Sequence, residues 1–215
     1  MKYSVVLFDL DGTLLDTLGD LTAAVNYAMA SKGFPARTID EVRAFVGNGI
    51  ANLIARSVPT GTDEQTVAAC LANFRAYYAE HMAVHTAPYD GILPLLDRLK
   101  AAGCRVGVVS NKVDFAVRQL CEQYFGDRVD VAVGECEGLR CKPAPDTVQK
   151  ALAALGVAAD KAVYIGDSDV DIRTAENAGM PCISVDWGFR SRAFLQENGA
   201  RVIVSTTAEL EQELA

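Results

Sequence analysis

The chain has no run of basic residues, no long apolar segment and no set of closely paired cysteines. Lys and Arg number 20 against 28 Asp and Glu, so the formal net charge is -8. This balance argues against nucleic acid or an anionic membrane surface as a partner. The first apolar stretch ends at Asp9, and no stretch approaches the roughly 18 apolar residues of a membrane span. We therefore expect a cytoplasmic protein with no membrane contact.

Cysteine and histidine give no clear metal pattern. The six cysteines are scattered through apolar segments, which indicates reduced thiols that pack as small hydrophobes. Cys136 and Cys141 lie close together but have no second Cys or His pair nearby. His81 and His85 have the i, i+4 spacing of a helical metal pair, yet no third ligand is in view. Neither pair is assigned a role.

Short Val- and Ile-rich runs alternate with amphipathic helical patterns along most of the chain. This alternation predicts an α/β fold, a Rossmann-like parallel sheet with helices on both faces. The predicted strands cover residues 3–8, 105–109, 129–133, 162–165, 182–185 and 201–204. The predicted helices cover residues 92–102, 114–124, 146–155, 170–178, 192–197 and 208–214.

One stretch, residues 17–85, contains no good strand pattern. Thr17 with Asp20, and Thr38 with Glu41, both have the spacing of a capped helix start. The sequence therefore predicts an all-helical domain at 17–85, inserted into a core domain made of residues 1–16 and 86–215. The joints at about 15–17 and 86–90 are candidate hinges.

An acidic motif follows the first predicted strand. Asp9 and Asp11 come directly after the apolar run Val5–Phe8, with Gly12 and Thr13 next. Two carboxylates at a strand end could bind a hard cation and divide nucleophilic and acid/base work between them. An ordinary acidic turn at Asp11-Gly12 is the alternative interpretation.

Further polar residues follow other predicted strands. Ser110 and Asn111 come after the second strand, and Asp167 and Asp171 come after the fourth. Ligands of open α/β sheets bind at the carboxyl ends of the strands, so we expect these groups to converge there. Lys142, ahead of a proline-rich helix start, would supply the cation that the acidic cluster otherwise lacks. Asp169 and Asp171 could instead serve only to cap a helix.

The ordered set Asp9-x-Asp11-Gly12-Thr13, the strand-end Ser110, Lys142 and the Gly-Asp-x-x-x-Asp run from Gly166 to Asp171 resembles the haloacid dehalogenase superfamily of aspartate-nucleophile phosphatases. The match spans the whole chain. A helical insert after the first motif is similar to the type 1 caps of that superfamily. Phe45-Val46-Gly47-Asn48-Gly49 and Ser110-Asn111-Lys112 resemble the phosphoglycolate phosphatases most closely.

The resemblance implies a role for each motif residue. Asp9 would be the nucleophile and Asp11 the acid/base, with Lys142 assisting catalysis and binding phosphate. Mg²⁺ would be the cofactor. The metal site would comprise Asp9, a main-chain carbonyl at or near Asp11, Asp167 and Asp171, the last by orienting ligands or binding directly. Substrate would be bound by Gly12, Thr13, Asn48, Gly49, Ser110, Asn111 and Lys142.

The predicted function is a Mg²⁺-dependent phosphatase that acts on a small phosphorylated metabolite through an aspartyl-phosphate, with phosphoglycolate as the leading substrate. A phosphomutase of the β-phosphoglucomutase type, a pyrophosphatase or a sugar-phosphate phosphatase are the enzymatic alternatives. An inactive binding module is the alternative from another class. A monomer and a homodimer are both compatible with the sequence.

The helical insert would select the leaving group. Asn48 and Gly49 lie in a Gly-Asn-Gly turn that could contact substrate or could simply join two helices. Arg43 and Arg56 flank this turn and could meet a small carboxylate or could be solvated surface residues. Trp187-Gly188-Phe189 follows a strand end and is expected to pack beneath the rim of the site.

Overall fold

A computed structural model describes residues 1–47 and 49–215. The chain divides into two compact units. Met1–Leu15 and Pro88–Ala215 form the first, which we call the core unit. Asp16–Ala87 form the second, which we call the helical unit.

The core unit is built on a parallel sheet of six strands in the order β5-β4-β1-β6-β7-β8. From β1 the chain continues to β4 and β5 on one side of β1, and then crosses to β6, β7 and β8 on the other side. The strand order therefore reverses at β1. This confirms the predicted α/β class with a Rossmann-like parallel sheet. The strands, in chain order, are β1 (Val5–Phe8), β2 (Leu15–Asp16), β3 (Ala87–Pro88), β4 (Arg105–Val113), β5 (Val131–Glu135), β6 (Ala162–Gly166), β7 (Cys182–Val185) and β8 (Ile203–Val204).

Helices follow the strands and pack against the sheet. They are α1 (Leu18–Ala30), α2 (Ile39–Phe45), α3 (Gly49–Ser57), α4 (Glu64–His81), α5 (Ile92–Ala101), α6 (Asp114–Phe125), α7 (Asp146–Leu155), α8 (Asp169–Asn177), α9 (Arg192–Glu197) and α10 (Thr207–Leu214). Short 3₁₀ turns lie at Gly126–Arg128 and Ala159–Lys161. All twelve strands and helices predicted for the core are present, within about two residues at most boundaries.

Burial of β1 on both faces explains its continuous apolar sequence. Val5, Val6, Leu7 and Phe8 are all fully buried. Val5 and Leu7 pack in a cluster with residues of α7 and α8, and alternation directs Val6 and Phe8 to the other face of the sheet. A strand buried on both sides needs apolar residues at every position, and the first polar residue, Asp9, marks its end.

One strand is longer than predicted. The sequence indicates that β4 ends at Val109, but it continues to Val113 with irregular pairing. Five residues of β4, from Val109 to Val113, lie opposite only three residues of β5, from Val133 to Glu135. Such a bulge redirects side chains locally. The polar residues 110–112 therefore lie within a strand rather than after it.

The helical unit contains α1 to α4, and no strand lies between α1 and α4 among its described residues. Thr38 and Glu41 form the predicted capping box of α2. The other predicted cap is wrong: Thr17 makes no side-chain capping bond with α1. Asp20 instead accepts hydrogen bonds from residues 84–86, and this distant partner outcompetes the local cap.

The two strands at the joints, β2 and β3, pair with each other in a separate two-stranded sheet. From the sequence, these positions are predicted only as candidate hinges. A strand of two residues is too short to show a period, so hydrophobic patterning could not reveal it.

Candidate active site

The site lies where the strand order reverses. Asp9 follows the last residue of β1, and β1 is hydrogen-bonded to β4 on one side and β6 on the other. The bulged segment of β4 carries Ser110 and Lys112 to this edge, and β6 ends at Gly166, directly before Asp167. The carboxyl ends of three adjacent strands thus contribute to one crevice, as expected for an open parallel sheet.

Asp9 is held by its own loop and by a lysine. Its Oδ1 accepts a hydrogen bond from Leu10 N at 2.7 Å and lies 2.9 Å from Lys142 Nζ. The Asp9 side chain is 13% exposed and that of Lys142 only 3% exposed. The ammonium group of Lys142 favours the ionised form of this carboxylate, as a nucleophile requires, whereas burial of Asp9 opposes it.

Three carboxylates converge at this point. One oxygen of each of Asp9, Asp167 and Asp171 lies within 4.8 Å of the others. In residues 1–47 and 49–215, no other cluster of three or more His, Cys, Asp or Glu side chains meets this criterion. Hard oxygen donors at this spacing fit a divalent cation such as Mg²⁺. The predicted convergence of Asp9 and Asp167 is therefore present.

Asp167 is fixed by two segments of the core unit, residues 12–13 and 187–189. Its Oδ1 accepts a hydrogen bond from Thr13 Oγ1 at 3.2 Å, and its Oδ2 accepts one from Phe189 N at 2.7 Å. Gly12, at φ 83°, and Gly188 approach so closely that a Cβ at either position would overlap this carboxylate. Trp187 donates from Nε1 to Thr13 O at 3.1 Å, so the Trp-Gly-Phe segment supports the acidic loop.

Asp171 contacts Lys142 and its own helix start. Its Oδ1 lies 2.8 Å from Lys142 Nζ and accepts from Tyr164 Oη at 3.2 Å. Its Oδ2 accepts from Ser168 Oγ at 2.6 Å and Ser168 N at 3.1 Å, which is the capping arrangement of α8. Asp171 therefore caps α8, as one interpretation of the sequence predicted, and also pairs with Lys142. Both oxygens of Asp171 have partners, so this carboxylate is best suited to orient Lys142.

Asn111 positions the Lys142 main chain. Its Nδ2 donates to Lys142 O at 3.0 Å, and its Oδ1 accepts from Lys142 N at 2.7 Å. These reciprocal bonds use the amide that the sequence analysis assigns to substrate. Ser110, 2% exposed, lies one residue earlier and accepts a hydrogen bond from Lys112 N at 3.2 Å.

A second buried lysine, Lys112, belongs to the Ser110-Asn111-Lys112 motif, but its pairing with Asp11 was not predicted. Lys112 Nζ lies 2.6 Å from Asp11 Oδ1, and the two side chains are 3% and 15% exposed. Lys142 is therefore not the only cation beside the acidic cluster, contrary to the expectation from sequence. The pair joins residues 101 positions apart and depends on the bulge in β4, so no local pattern could reveal it.

Burial and crowding change the acidity of the three innermost groups. Burial, with the neighbouring Asp171, raises the pKa of Asp167 to about 7. Burial also raises the pKa of Asp9 well above its usual range. Lys142 favours the ionised form of Asp9, but this lysine also pairs with Asp171. The carboxylates of Asp171, Asp167 and Asp11 all oppose ionisation of Asp9. Burial opposes the charge of Lys142, but Asp171 and Asp9 outweigh it and raise the lysine pKa. The carboxylates therefore lack positive charge, which a divalent cation would supply.

The remaining predicted residues lie in the helical unit. Asn48 lies outside the described residues, and Gly47 and Gly49 have φ values of 128° and 80°. Arg43 pairs with Asp40, and Arg56 Nη1 donates to Phe45 O at 3.0 Å. Both arginines thus have partners within the same unit.

The Cys and His pairs show no metal geometry. His81 stacks on Tyr77 at 4.0 Å between ring centroids, and its Nδ1 lies 2.9 Å from Tyr77 O. The six cysteines are free thiols. Burial raises the pKa of Cys121 and Cys182 to about 12, which keeps these two protonated. No helix in the described part of the chain is both long and apolar enough to cross a membrane.

Comparison with known proteins agrees with this geometry. The model of the haloacid dehalogenase-like hydrolase family matches residues 6–185. The chain belongs to the haloacid dehalogenase-like hydrolases, which confirms the resemblance seen in its motifs.

Individual relatives indicate which type of hydrolase this chain resembles within the family. A phosphoglycolate phosphatase of Xanthomonas campestris pv. campestris is 34% identical over 186 residues, covering 86% of this chain and 84% of its own. An N-acetylmuramic acid 6-phosphate phosphatase of Pseudomonas aeruginosa is 34% identical over 215 residues, covering 98% and 94%. The crystal structure of a candidate phosphoglycolate phosphatase from Lactobacillus delbrueckii subsp. bulgaricus has a TM-score of 0.95 and 40% identity, covering 100% and 99%. The predicted enzyme class, phosphoric monoester hydrolase, is confirmed.

Proposed function

We propose that this enzyme hydrolyses a small phosphate monoester by attack of Asp9 on phosphorus, with Mg²⁺ as its cofactor. The observation that carries the proposal is the meeting of Asp9, Asp167 and Lys142 at the end of β1. Hydrolysis of phosphate monoesters is very slow without a catalyst, and a covalent intermediate divides its barrier into two smaller ones.

In the first step, one oxygen of Asp9 forms a bond to phosphorus while the bond from phosphorus to the ester oxygen breaks. Asp11 donates its proton to the departing alkoxide, so an alcohol leaves. Lys142 and Ser110 hold the phosphoryl oxygens, and the ammonium charge offsets the negative charge that builds up on them. The product of this step is a phosphorylated Asp9.

In the second step, Asp11 accepts a proton from water while the water oxygen attacks phosphorus. The bond between phosphorus and Asp9 breaks, which releases inorganic phosphate and regenerates the carboxylate. Asp11 ends this step protonated and is ready for the next substrate. One residue thus serves as acid and then as base.

Asp9, Asp167 and the main-chain carbonyl of Asp11 would hold the cation, while Asp171 orients Lys142. Bound Mg²⁺ would neutralise phosphoryl charge and favour the ionised form of Asp9. The donor set is carboxylate and carbonyl oxygen, the type that Mg²⁺ prefers.

Phosphoglycolate is the proposed substrate. The support is the name of the Xanthomonas relative and the Gly47-Asn48-Gly49 sequence, which resembles the phosphoglycolate phosphatases. The P. aeruginosa relative makes N-acetylmuramic acid 6-phosphate the second candidate. The core residues above all address the phosphoryl group, so we propose that residues 17–85 select the leaving group and act as the cap.

A substrate panel tests these assignments. Phosphoglycolate, N-acetylmuramic acid 6-phosphate, a hexose phosphate, pyrophosphate and p-nitrophenyl phosphate would be assayed with Mg²⁺ and with EDTA. We expect release of phosphate that depends on Mg²⁺, with the highest kcat/KM for phosphoglycolate. A higher value for another ester would reassign the substrate, and isomerisation of a hexose phosphate through a bisphosphate would indicate a mutase. No turnover of any phosphate compound would contradict the proposal.

The role of the helical unit has its own test. Gly49, at φ 80°, begins α3, and alanine there is strained because an L side chain rarely adopts this φ. We expect Gly49→Ala to lower kcat/KM for phosphoglycolate more than for p-nitrophenyl phosphate, whose good leaving group needs little assistance. Gly61→Ala, at φ 86° in another turn of the same unit, is the matched control for backbone strain alone. An equal loss of kcat/KM on both substrates would show that Gly49 has only a structural role.

A further inference from the structure

We propose that Lys112 is a positioning residue that holds the Asp11 carboxylate in place for proton transfer to the leaving group. This inference rests on the proposed function, in which Asp11 is the acid/base. It adds a residue whose action on the reaction passes through Asp11.

The contact between the two side chains is short and sheltered. Lys112 Nζ lies 2.6 Å from Asp11 Oδ1, at the short end of the range for a charge-assisted hydrogen bond. The Lys112 side chain is 3% exposed. A buried ammonium group is costly unless it is hydrogen-bonded, so this contact is maintained more strongly than one at the surface. Lys112 contacts Oδ1 of Asp11, so Oδ2 carries the proton that passes to the leaving group.

The main chain on both sides of the pair is also fixed. Asp11 makes a β-bridge with Leu15, and Gly12 N donates to Leu15 O at 2.9 Å. Lys112 N donates to Ser110 Oγ at 3.2 Å within the bulge of β4. A residue with four rotatable side-chain bonds is therefore directed at one carboxylate oxygen from an anchored backbone.

The two lysines pair with different carboxylates. Lys142 pairs with Asp9 and Asp171, while Lys112 pairs with Asp11. A group that transfers a proton must stay within hydrogen-bond distance of the leaving oxygen, and a small displacement reduces its contribution. We therefore infer that losing Lys112 impairs the proton donor and leaves the nucleophile in place.

The test separates proton transfer from other roles by the choice of leaving group. Ethyl phosphate and phosphoglycolate release alkoxides that need a proton, whereas p-nitrophenyl phosphate releases a stable anion. For each, kcat/KM reports steps up to the first irreversible one, transfer of the phosphoryl group to Asp9. Lys112→Met and Lys112→Gln would be compared with Lys161→Met, which alters an exposed lysine of the same unit.

We expect Lys112→Met to lower kcat/KM by roughly 10- to 100-fold for both alkyl esters, part of the usual contribution of an acid catalyst. The value for p-nitrophenyl phosphate should change by less than about threefold, because that leaving group needs no proton. Lys112→Gln, which keeps a polar group, should show the same pattern with a smaller loss. Lys161→Met should match the wild-type enzyme on all three substrates.

A double variant checks that the effect passes through Asp11. In an Asp11→Asn background, Lys112→Met should lower kcat/KM for ethyl phosphate by less than about threefold. The proton donor is already absent in this background, so losing Lys112 cannot displace it. Equal losses on all three substrates would make Lys112 merely structural, and a loss confined to phosphoglycolate would make it a binder of the substrate carboxylate. Either result overturns the inference while the proposed function stands. Wild-type enzyme inactive on every phosphate ester would instead overturn both.

Discussion

At the scale of single residues, the site is organised by charge. The carboxylates of Asp9, Asp11, Asp167 and Asp171 face the ammonium groups of Lys112 and Lys142 in a largely buried crevice. Four negative groups and two positive ones leave a formal charge of -2 when all are ionised. Burial and the neighbouring carboxylates raise the pKa of both Asp9 and Asp167, and one divalent cation would balance the excess negative charge.

Replacement of the nucleophile should abolish turnover without disturbing the fold. Asn at position 9 keeps an oxygen for the hydrogen bond from Leu10 N but cannot form the acyl phosphate. We expect Asp9→Asn to lower kcat by roughly three orders of magnitude or more, measured as phosphate release. Asp160→Asn, which changes an exposed carboxylate of the core unit, is the control and should be fully active. Turnover near the wild-type rate in Asp9→Asn would remove Asp9 from its role.

Replacement of the acid/base should affect the two steps differently. With p-nitrophenyl phosphate the first step needs no proton, but hydrolysis of the phosphorylated Asp9 still needs a base. We expect Asp11→Asn to lower kcat by roughly 100- to 10,000-fold and to release a rapid burst of about one nitrophenolate per enzyme. Stopped-flow absorbance measures the burst. Slow release without a burst would show that Asp11 acts before or during formation of the intermediate even with this substrate.

At the scale of elements, the sequence predicted what local patterning controls. The apolar run of β1 and the Thr38 to Glu41 capping box both follow from neighbouring residues, and both are present. The pairing of Lys112 with Asp11 and of Asp20 with residues 84–86 could not be predicted, because the partners lie 101 and about 65 positions apart. Tertiary contacts of this kind override local propensity.

Asp20 connects the start of α1 to the end of the helical unit. Its buried carboxylate accepts hydrogen bonds from the main-chain N–H groups of Val84, His85 and Thr86, at 2.9 to 3.0 Å, and from Thr86 Oγ1 at 2.8 Å. Truncation would leave these donors without an acceptor in a buried setting. We expect Asp20→Ala to lower the free energy of unfolding by roughly 2–4 kcal/mol.

Hydrogen exchange gives the local measurement for this variant. The amides of residues 84–86 should lose protection in Asp20→Ala, because their carboxylate acceptor is gone. Asp40→Ala, which removes an exposed ion pair with Arg43 in the same unit, should change stability by less than about 0.5 kcal/mol. Unchanged protection at 84–86 in Asp20→Ala would mean that other contacts hold this segment.

At the scale of the whole molecule, the acidic crevice links stability to pH and to the cation. The pKa of Asp167 is about 7 in the folded protein against 3.8 in the unfolded chain. Between these values the folded protein binds the extra proton, so stability decreases as pH rises. This contribution is fully present below pH 3.8 and is lost as the pH passes about 7. Asp9, whose pKa is also raised, acts in the same direction.

Magnesium should reverse this loss, and more strongly at high pH. Protons compete with the cation for the carboxylates, so we expect Mg²⁺ to raise Tm more at pH 8 than at pH 5. Saturation at about 100 times Kd corresponds to roughly 2.7 kcal/mol of stabilisation. Asp167→Asn should flatten the decline in Tm between pH 4 and 7 and remove most of the response to Mg²⁺, whereas Asp160→Asn should keep both. Differential scanning fluorimetry with EDTA or Mg²⁺ measures these shifts without any substrate. An equal Mg²⁺ response at both pH values, or one that persists in Asp167→Asn, would place the cation away from the three carboxylates.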